Sequence, residues 1–89
     1  MMATYAIEFV KSARKDFEKL PARIRERIVE ALTVLSLNPY SELLKVKKLK
    51  GAELFRIRLG DYRVVYEVRK KQLVVVVIKV VHRSEVYRK

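Results

Sequence analysis

The chain has 89 residues, 51% of them hydrophobic, no cysteine, and a formal net charge of +11. This length predicts a single domain over residues 1–89, and the absence of cysteine excludes disulfides, thiolate metal sites and a cysteine nucleophile. The longest apolar run, residues 73–78, is too short to span a membrane, so we expect a cytoplasmic protein.

The positive charge is concentrated in the second half of the sequence. Residues 1–44 hold seven lysines and arginines against six acidic residues, a net charge of +1. Residues 45–89 hold fourteen against four, a net charge of +10. Such a surplus indicates that this half meets a polyanion or an acidic protein, although a solvated basic surface would have the same composition.

The first half predicts a strand followed by two helices. Residues 4–10 alternate apolar and polar side chains, as a strand does. Ser12 can cap the first helix, and Pro21 ends that helix and suits the first turn of the next. The second helix has an apolar stripe at helical spacing and ends at Asn38-Pro39. The stripe consists of Ile24, Ile28, Ala31, Leu32 and Leu35.

The second half predicts a basic connection followed by three strands. The strands are expected at residues 53–59, 62–69 and 72–81, with turns at Gly60-Asp61 and Lys70-Lys71. The last strand is apolar on both faces, which indicates a central position in the sheet. The predicted fold is therefore α+β, in the order β-α-α-β-β-β. Its helical hairpin is expected to pack on one face of a small, mainly antiparallel, twisted sheet.

Three arginines are predicted to share the other face of this sheet. Strand side chains alternate with a period of two, so Arg56 and Arg58 lie together, and a reversal at Gly60-Asp61 adds Arg63. Each arginine alone is an ordinary exposed strand residue, but the set favours anion binding because guanidinium groups match phosphate oxygens. The connection adds four lysines, which we expect to contact a nucleic-acid backbone or solvent. They are Lys45, Lys47, Lys48 and Lys50.

Several kinds of site are excluded by the residues that the sequence contains. His82 is the only histidine, so neither a pair of histidines for acid and base catalysis nor a histidine metal cluster can form. Gly51 and Gly60 are the only glycines, so there is no glycine-rich phosphate loop. We therefore expect no metal site and no cofactor.

The order of elements, the string LFRIRLGDYRVVYEV and the terminal HRSEVYR together resemble the RelE branch of the RelE/ParE toxins of type II toxin-antitoxin pairs. The resemblance extends over essentially the whole chain. It implies an mRNA interferase, a ribosome-dependent endoribonuclease that cuts mRNA in the ribosomal A site and inhibits translation. The implied reaction is attack of the ribose 2′-hydroxyl on the adjacent phosphate, without a metal ion. The implied partners are the ribosome, mRNA and a RelB-like antitoxin in a hetero-oligomer.

The resemblance also assigns roles to single residues. Arg63 matches the family arginine that binds the scissile phosphate. Arg83 resembles the arginine of the family's terminal motif, which assists the general acid or binds the phosphate. Arg56 and Arg58 stand where some members carry lysine. Because arginine is a poor general base, with a pKa above about 12, both are assigned to charge stabilisation. Tyr87 matches the family tyrosine that is proposed as a base or as a stacking and orienting group. Tyr87 or His82 is left for proton transfer, although Tyr87 could equally pack and His82 could cap the last strand.

Two alternatives remain open at this stage. A ParE-like gyrase inhibitor has the same fold and does not cleave RNA. An inhibitor that acts by binding a protein does not need Arg56, Arg58, Arg63 and Tyr87 together, so this set favours the nuclease. The other alternative is a catalytically inert basic module that binds RNA or a protein, and arginine in place of lysine keeps it open.

Overall fold

The computed structural model describes residues 4–50 and 53–82. The order β-α-α-β-β-β is confirmed, with one additional short strand between the helices and the hairpin. The strands are β1 (Ala6–Phe9), β2 (Lys47–Lys48), β3 (Leu54–Leu59), β4 (Tyr62–Arg69) and β5 (Val74–His82); the helices are α1 (Lys11–Glu18) and α2 (Ala22–Leu37). In these ranges no helix is long and apolar enough to cross a membrane.

The five strands form one mixed sheet in the order β1-β5-β4-β3-β2. The parallel pair is β1 with β5, and the other neighbours are antiparallel. A parallel pair needs a long connection, and here it contains both helices and the strands β2, β3 and β4. The apolar strand β5 lies between β1 and β4, so its predicted central position is confirmed.

The helices cover one face of the sheet through the predicted apolar stripe of α2. Four residues of that stripe are buried, and Ile24 is partly buried beside them. Phe17 of α1 contacts Phe9 of β1, with ring centroids 5.3 Å apart. The sheet side of this core contains Phe55, Ile57, Val64, Tyr66, Val68, Val75, Val77 and Val80. Burial of this face leaves the opposite face of β3 and β4 without a helical cover.

The start of α1 differs from the prediction. The helix begins at Lys11, with Val10 as its N-cap in extended conformation and no side-chain cap, so Ser12 is not the cap. The Val10 N–H donates to the carbonyl of Val77, and the Val10 carbonyl accepts from Arg14 N–H at 3.0 Å. Pairing of β1 with β5 therefore sets where the helix begins, and a capping side chain is not needed.

Two connections are also more structured than predicted. The basic connection contains a 3-10 helix, Glu42–Leu44, and the strand β2. The Ser41 hydroxyl accepts from the Leu43 N–H at 3.2 Å, which fixes the start of this short helix. The turn after β4 runs past Lys70-Lys71 to Leu73, whose φ of 55° is left-handed, so β5 begins at Val74 rather than at 72.

Tyr66 ties the end of α2 to the centre of the sheet. Its side chain is fully buried, and its hydroxyl donates to the Pro39 carbonyl at 2.7 Å. Its ring stacks on Phe55, with centroids 5.8 Å apart. Burial raises the pKa of the Tyr66 phenol above its ordinary value of 10.0. The bond holds the basic connection, which follows Pro39, against β3 and β4.

Replacing Tyr66 by phenylalanine tests this bond. Because the variant leaves a buried carbonyl without its donor, Tyr66→Phe is expected to lower the free energy of unfolding by about 1–3 kcal/mol at neutral pH, measured by urea denaturation. The folded state holds the phenol proton more tightly than the unfolded chain does. The stability that Tyr66 provides is therefore complete below pH 10 and falls as the pH rises above it. Equal stability of both proteins at neutral pH would contradict the assignment.

Candidate functional site

The pairing of β3 with β4 gathers the three arginines on the sheet face that the helices leave uncovered. Arg58 lies directly opposite Arg63, and Arg56 lies opposite Val65. Since cross-strand partners point to the same side, the three side chains share that face, as the alternation predicted. Lys47 of β2 and Lys79 of β5 join them, because they pair with Arg56 and Val65 respectively. We call the surface formed by Arg56, Arg58, Arg63, Lys47 and Lys79 the arginine face.

The arginine face is not neutralised by acidic residues in the described ranges. The ion pairs there are Arg14 with Glu18, Lys48 with Glu53, and Arg69 with Glu67. None of them includes a residue of the arginine face. The acidic residue on this side of β4, Glu67, accepts from Arg69 Nε at 2.9 Å. Like charges directly across strands destabilise a sheet, so the Arg58–Arg63 pair costs stability in the absence of an anion.

Arg56 has the most desolvated guanidinium of this surface. Its side chain is half-buried, and its Nη1 atom is buried with no hydrogen-bond acceptor among residues 4–50 and 53–82. Burial lowers the pKa of Arg56 from its ordinary value, and the charges of Arg63 and Arg58 lower it further. A buried donor without an acceptor is costly. An anion bound beside this guanidinium group would relieve the repulsion from the neighbouring arginines.

His82 lies on the other side of the sheet. It pairs with Tyr62 across β4 and β5, and Tyr62 pairs with Leu59 on the helix-covered side. The Tyr62 and His82 rings meet edge to face, with centroids 4.9 Å apart. The structure therefore does not bring the His82 ring to the arginines. Alternation along β5 could have shown this, because Lys79 points to the arginine face and His82 is three residues away.

The two remaining catalytic candidates, Arg83 and Tyr87, lie outside the described residues. Their roles stay predictions from the resemblance. Within the described ranges, no group of three histidine, aspartate or glutamate side chains is placed to hold a metal ion.

The four lysines of the connection separate into different environments. Lys47 joins the arginine face, whereas Lys48 pairs with Phe55 and its Nζ lies 3.8 Å from a Glu53 carboxylate oxygen. Lys45 ends the 3-10 helix in a left-handed conformation, with φ 50°. Lys50 is exposed beyond β2.

Sequence reasoning missed two features near the arginine face. One is Lys79, a cation among apolar residues of β5, whose outward position depends on its register opposite Val65. The other is Leu43, which is 84% exposed. The sequence signal is weak: Leu43 stands just before the lysine-rich segment and belongs to no apolar pattern of a helix or strand.

Comparison with known proteins identifies the family. A family model described as the ParE toxin of the type II toxin-antitoxin system parDE matches residues 7–87. Toxin RelG of Mycobacterium tuberculosis is 38% identical over 89 residues, covering 96% of this chain and 98% of the relative. The chain belongs to the RelE/ParE superfamily of type II toxin-antitoxin toxins. The resemblance predicted from the sequence is thereby confirmed.

Further relatives of this RelE/ParE toxin agree with that assignment. The mRNA interferase toxin RelE of Escherichia coli K12 is 33% identical over 85 residues, covering 93% of this chain and 90% of the relative. The toxin in the crystal structure of the archaeal RelE-RelB complex from Pyrococcus horikoshii superposes with a TM-score of 0.81 at 36% identity. That match covers 90% of this chain and 96% of the other, and it confirms the predicted α+β fold.

The repulsion within the arginine face gives a stability prediction. Arg58→Glu places a carboxylate opposite Arg63, so this variant of the toxin is expected to be more stable than the wild type by about 0.5 kcal/mol at low salt. Screening should reduce the gain at high salt. The measurement is thermal denaturation at two ionic strengths. Lys71→Glu, in the turn before β5, makes the same change in net charge away from this surface and serves as the control. A loss of stability in Arg58→Glu, or an equal gain in both variants, would contradict the prediction.

Proposed function

We propose that this toxin is a ribosome-dependent endoribonuclease of the cytoplasm that cleaves mRNA in the ribosomal A site and so inhibits translation. The observation that carries the proposal is the arginine face, where three guanidinium groups converge without acidic partners in the described ranges. Such a surface suits a substrate that brings negative charge with it. The name of the E. coli relative, mRNA interferase toxin RelE, supports mRNA as that substrate.

The proposed reaction is an internal phosphoryl transfer within the message. The ribose 2′-oxygen attacks the adjacent phosphorus and forms a new P–O bond, while the bond from phosphorus to the 5′-oxygen of the next nucleotide breaks. The products are a 2′,3′-cyclic phosphate and a 5′-hydroxyl. Negative charge builds on the non-bridging oxygens, and fixed donors aimed at that charge lower the barrier. Arg63 and Arg58 supply these donors and Arg56 adds its charge beside them, so the reaction as proposed needs no metal ion.

The proposed proton-transfer roles come from the resemblance, and the structure bears on two of the other candidates. A base must remove the 2′-proton, and an acid must protonate the leaving 5′-oxygen. Arg56 is unsuited as a base even with its lowered pKa, because the neutral guanidine form is scarce at neutral pH. His82 points to the helix-covered side of the sheet. The proposal therefore gives the base role to Tyr87 and the acid or phosphate-binding role to Arg83, both from the resemblance.

Arg63→Ala tests the charge-stabilising role of the arginine face. Loss of one donor that acts on the transition state is expected to slow cleavage of mRNA on programmed ribosomes by roughly 100- to 1000-fold. The control is Arg69→Ala. Arg69 lies on the same strand, but its charge is already paired with Glu67, so this variant should cleave within a few-fold of the wild type.

The measurement is the rate of appearance of cut ends in a defined message, with and without ribosomes. Wild-type rates in Arg63→Ala, or an intact message with the wild-type toxin bound to ribosomes, would overturn the proposal.

The assignment of the base is tested by a second pair of variants. His82→Gln should cleave within about threefold of the wild type, since its ring is on the far side of the sheet from the arginines. Tyr87→Phe should slow cleavage by roughly 100-fold or more, the usual contribution of a general base. The measurement is single-turnover cleavage across the pH range. A large loss in His82→Gln with a retained rate in Tyr87→Phe would reverse the two roles.

We propose a RelB-like antitoxin as the partner in a hetero-oligomer. The solved relative from P. horikoshii is a RelE-RelB complex, which supports this assignment. A net charge of +10 in the second half of the chain favours fast association with an acidic protein. Covering the arginine face would also remove the repulsion that it carries when empty.

The family model that matches the chain is described as ParE, which keeps gyrase inhibition as the second candidate function. A supercoiling assay separates the two candidates, because a gyrase inhibitor would block supercoiling and leave mRNA intact. Tight binding to ribosomes with neither activity would indicate the inert basic module.

A further inference from the structure

A cleft lies at the β2 edge of the sheet, beside the arginine face. Strand β2 is only two residues long and pairs with Phe55 and Arg56, while β3 continues to Leu59. The 3-10 helix and Lys45 line the other side of the opening. The cleft has a volume of about 470 Å³, within the range of small-ligand sites.

The lining of the cleft combines cations with exposed apolar surface. Two lysines, two arginines and three leucines form it. Leu43 is 84% exposed, and Lys45 holds a left-handed conformation that an ordinary side chain rarely adopts. Proteins that bind single-stranded nucleic acid combine a basic groove with aromatic side chains on which the bases stack. The cleft has the basic groove, with exposed leucine in place of an aromatic ring.

The cations extend further than one phosphate requires. Arg63, Arg56 and Lys47 lie on three successive strands, and neighbouring strands are about 4.8 Å apart. They therefore span about 10 Å from β4 to the edge of the sheet. Arg56 is in the middle, and its buried Nη1 has no acceptor in the described ranges. A phosphate on Arg63 leaves Lys47 and the cleft side of Arg56 for a second anion.

We propose that this cleft binds the nucleotide next to the cleaved phosphate, with Lys47 and Arg56 holding its phosphate group, Lys45 adding charge, and Leu43 contacting its base or ribose. The proposal rests on the proposed function, because it places a neighbouring nucleotide of the same message. The proposal gives a substrate-binding role to Lys45 and Lys47. It gives none to Lys48, whose charge is paired with Glu53.

The test uses the full chain, free of any partner, and a fluorescent trinucleotide RNA whose 2′-hydroxyls are methylated so that it cannot be cut. Binding is measured by anisotropy between about 50 and 200 mM salt. Lys47→Gln should weaken binding roughly fivefold at low salt and reduce the slope of log K against log salt by about 0.7, the effect of losing one single-strand phosphate contact. Lys71→Gln removes the same charge from a turn away from the cleft and should change neither quantity.

Leu43→Ala separates apolar contact from charge. Its side chain is exposed, so folding should be retained, and thermal denaturation checks this for every variant. Binding should weaken by about threefold with the salt slope unchanged, since no phosphate contact is lost. Wild-type affinity in this variant would overturn the contact with the base or ribose.

The remaining outcomes distinguish failure of the cleft proposal from failure of the proposed function. If the wild type cleaves mRNA on ribosomes while Lys47→Gln and Lys71→Gln bind the trinucleotide alike, the cleft proposal alone fails. If the wild type does not cleave mRNA, both proposals fail. Tighter binding of an acidic hexapeptide than of the trinucleotide, lost in Lys47→Gln, would overturn the nucleotide assignment in favour of a protein partner.

Discussion

The pairing of β3 with β4 is the interaction on which the rest of the structure depends. It sets Arg58 directly opposite Arg63 on one side of the sheet and Ile57 directly opposite Val64 on the other. Ile57 and Val64 are both fully buried, and burying such a side chain contributes about 1.5–3 kcal/mol. Repulsion between directly opposed like charges is smaller, about 0.2–1 kcal/mol. The core on one side therefore keeps the charges on the other side together.

Arg56 and Arg58 stand where some members of the family carry lysine, and the proposed function gives them the role of stabilising charge instead of that of a base. A guanidinium group cannot readily act as a base, but its fork holds a phosphate in a fixed orientation. Arg56 shows the effect of crowding. Burial and its two arginine neighbours lower its pKa, and its Nη1 has no hydrogen-bond acceptor in the described ranges. The same features that disfavour the charge in the empty protein favour a bound anion. Stability of the protein without a ligand and binding of an anion are thus opposed on this surface.

Much of the fold and the central part of the site could be predicted from the sequence. Alternation along LFRIRLGDYRVVY places Arg56, Arg58 and Arg63 on one face, because burial of Ile57 and Val64 leaves only one register. Helical spacing likewise identified the buried side of α2. These predictions succeeded because each is fixed by a local pattern with one apolar side.

The features that the sequence did not predict mostly depend on pairing between distant parts of the chain. Ser12 resembles a helix cap, but hydrogen bonds of Val10 with the sheet and with Arg14 begin the helix earlier. Strand β2 has only two residues and no pattern of its own, so its register opposite Arg56 could not be inferred. The cleft beside it depends on that register and on the 3-10 helix. His82 was one of two candidates for proton transfer, and alternation from Lys79 along β5 puts its ring on the other face of the sheet, beside Tyr62.

The central claim is that the arginine face stabilises attack by a ribose 2′-oxygen on the neighbouring phosphate. The most direct measurement is cleavage of a message on programmed ribosomes in which the single sugar before the mapped cut lacks its 2′-hydroxyl. The account predicts that cleavage at that bond is abolished, while the all-ribose message yields a 2′,3′-cyclic phosphate and a 5′-hydroxyl. Cleavage of the deoxy-substituted bond at the normal rate would contradict the account.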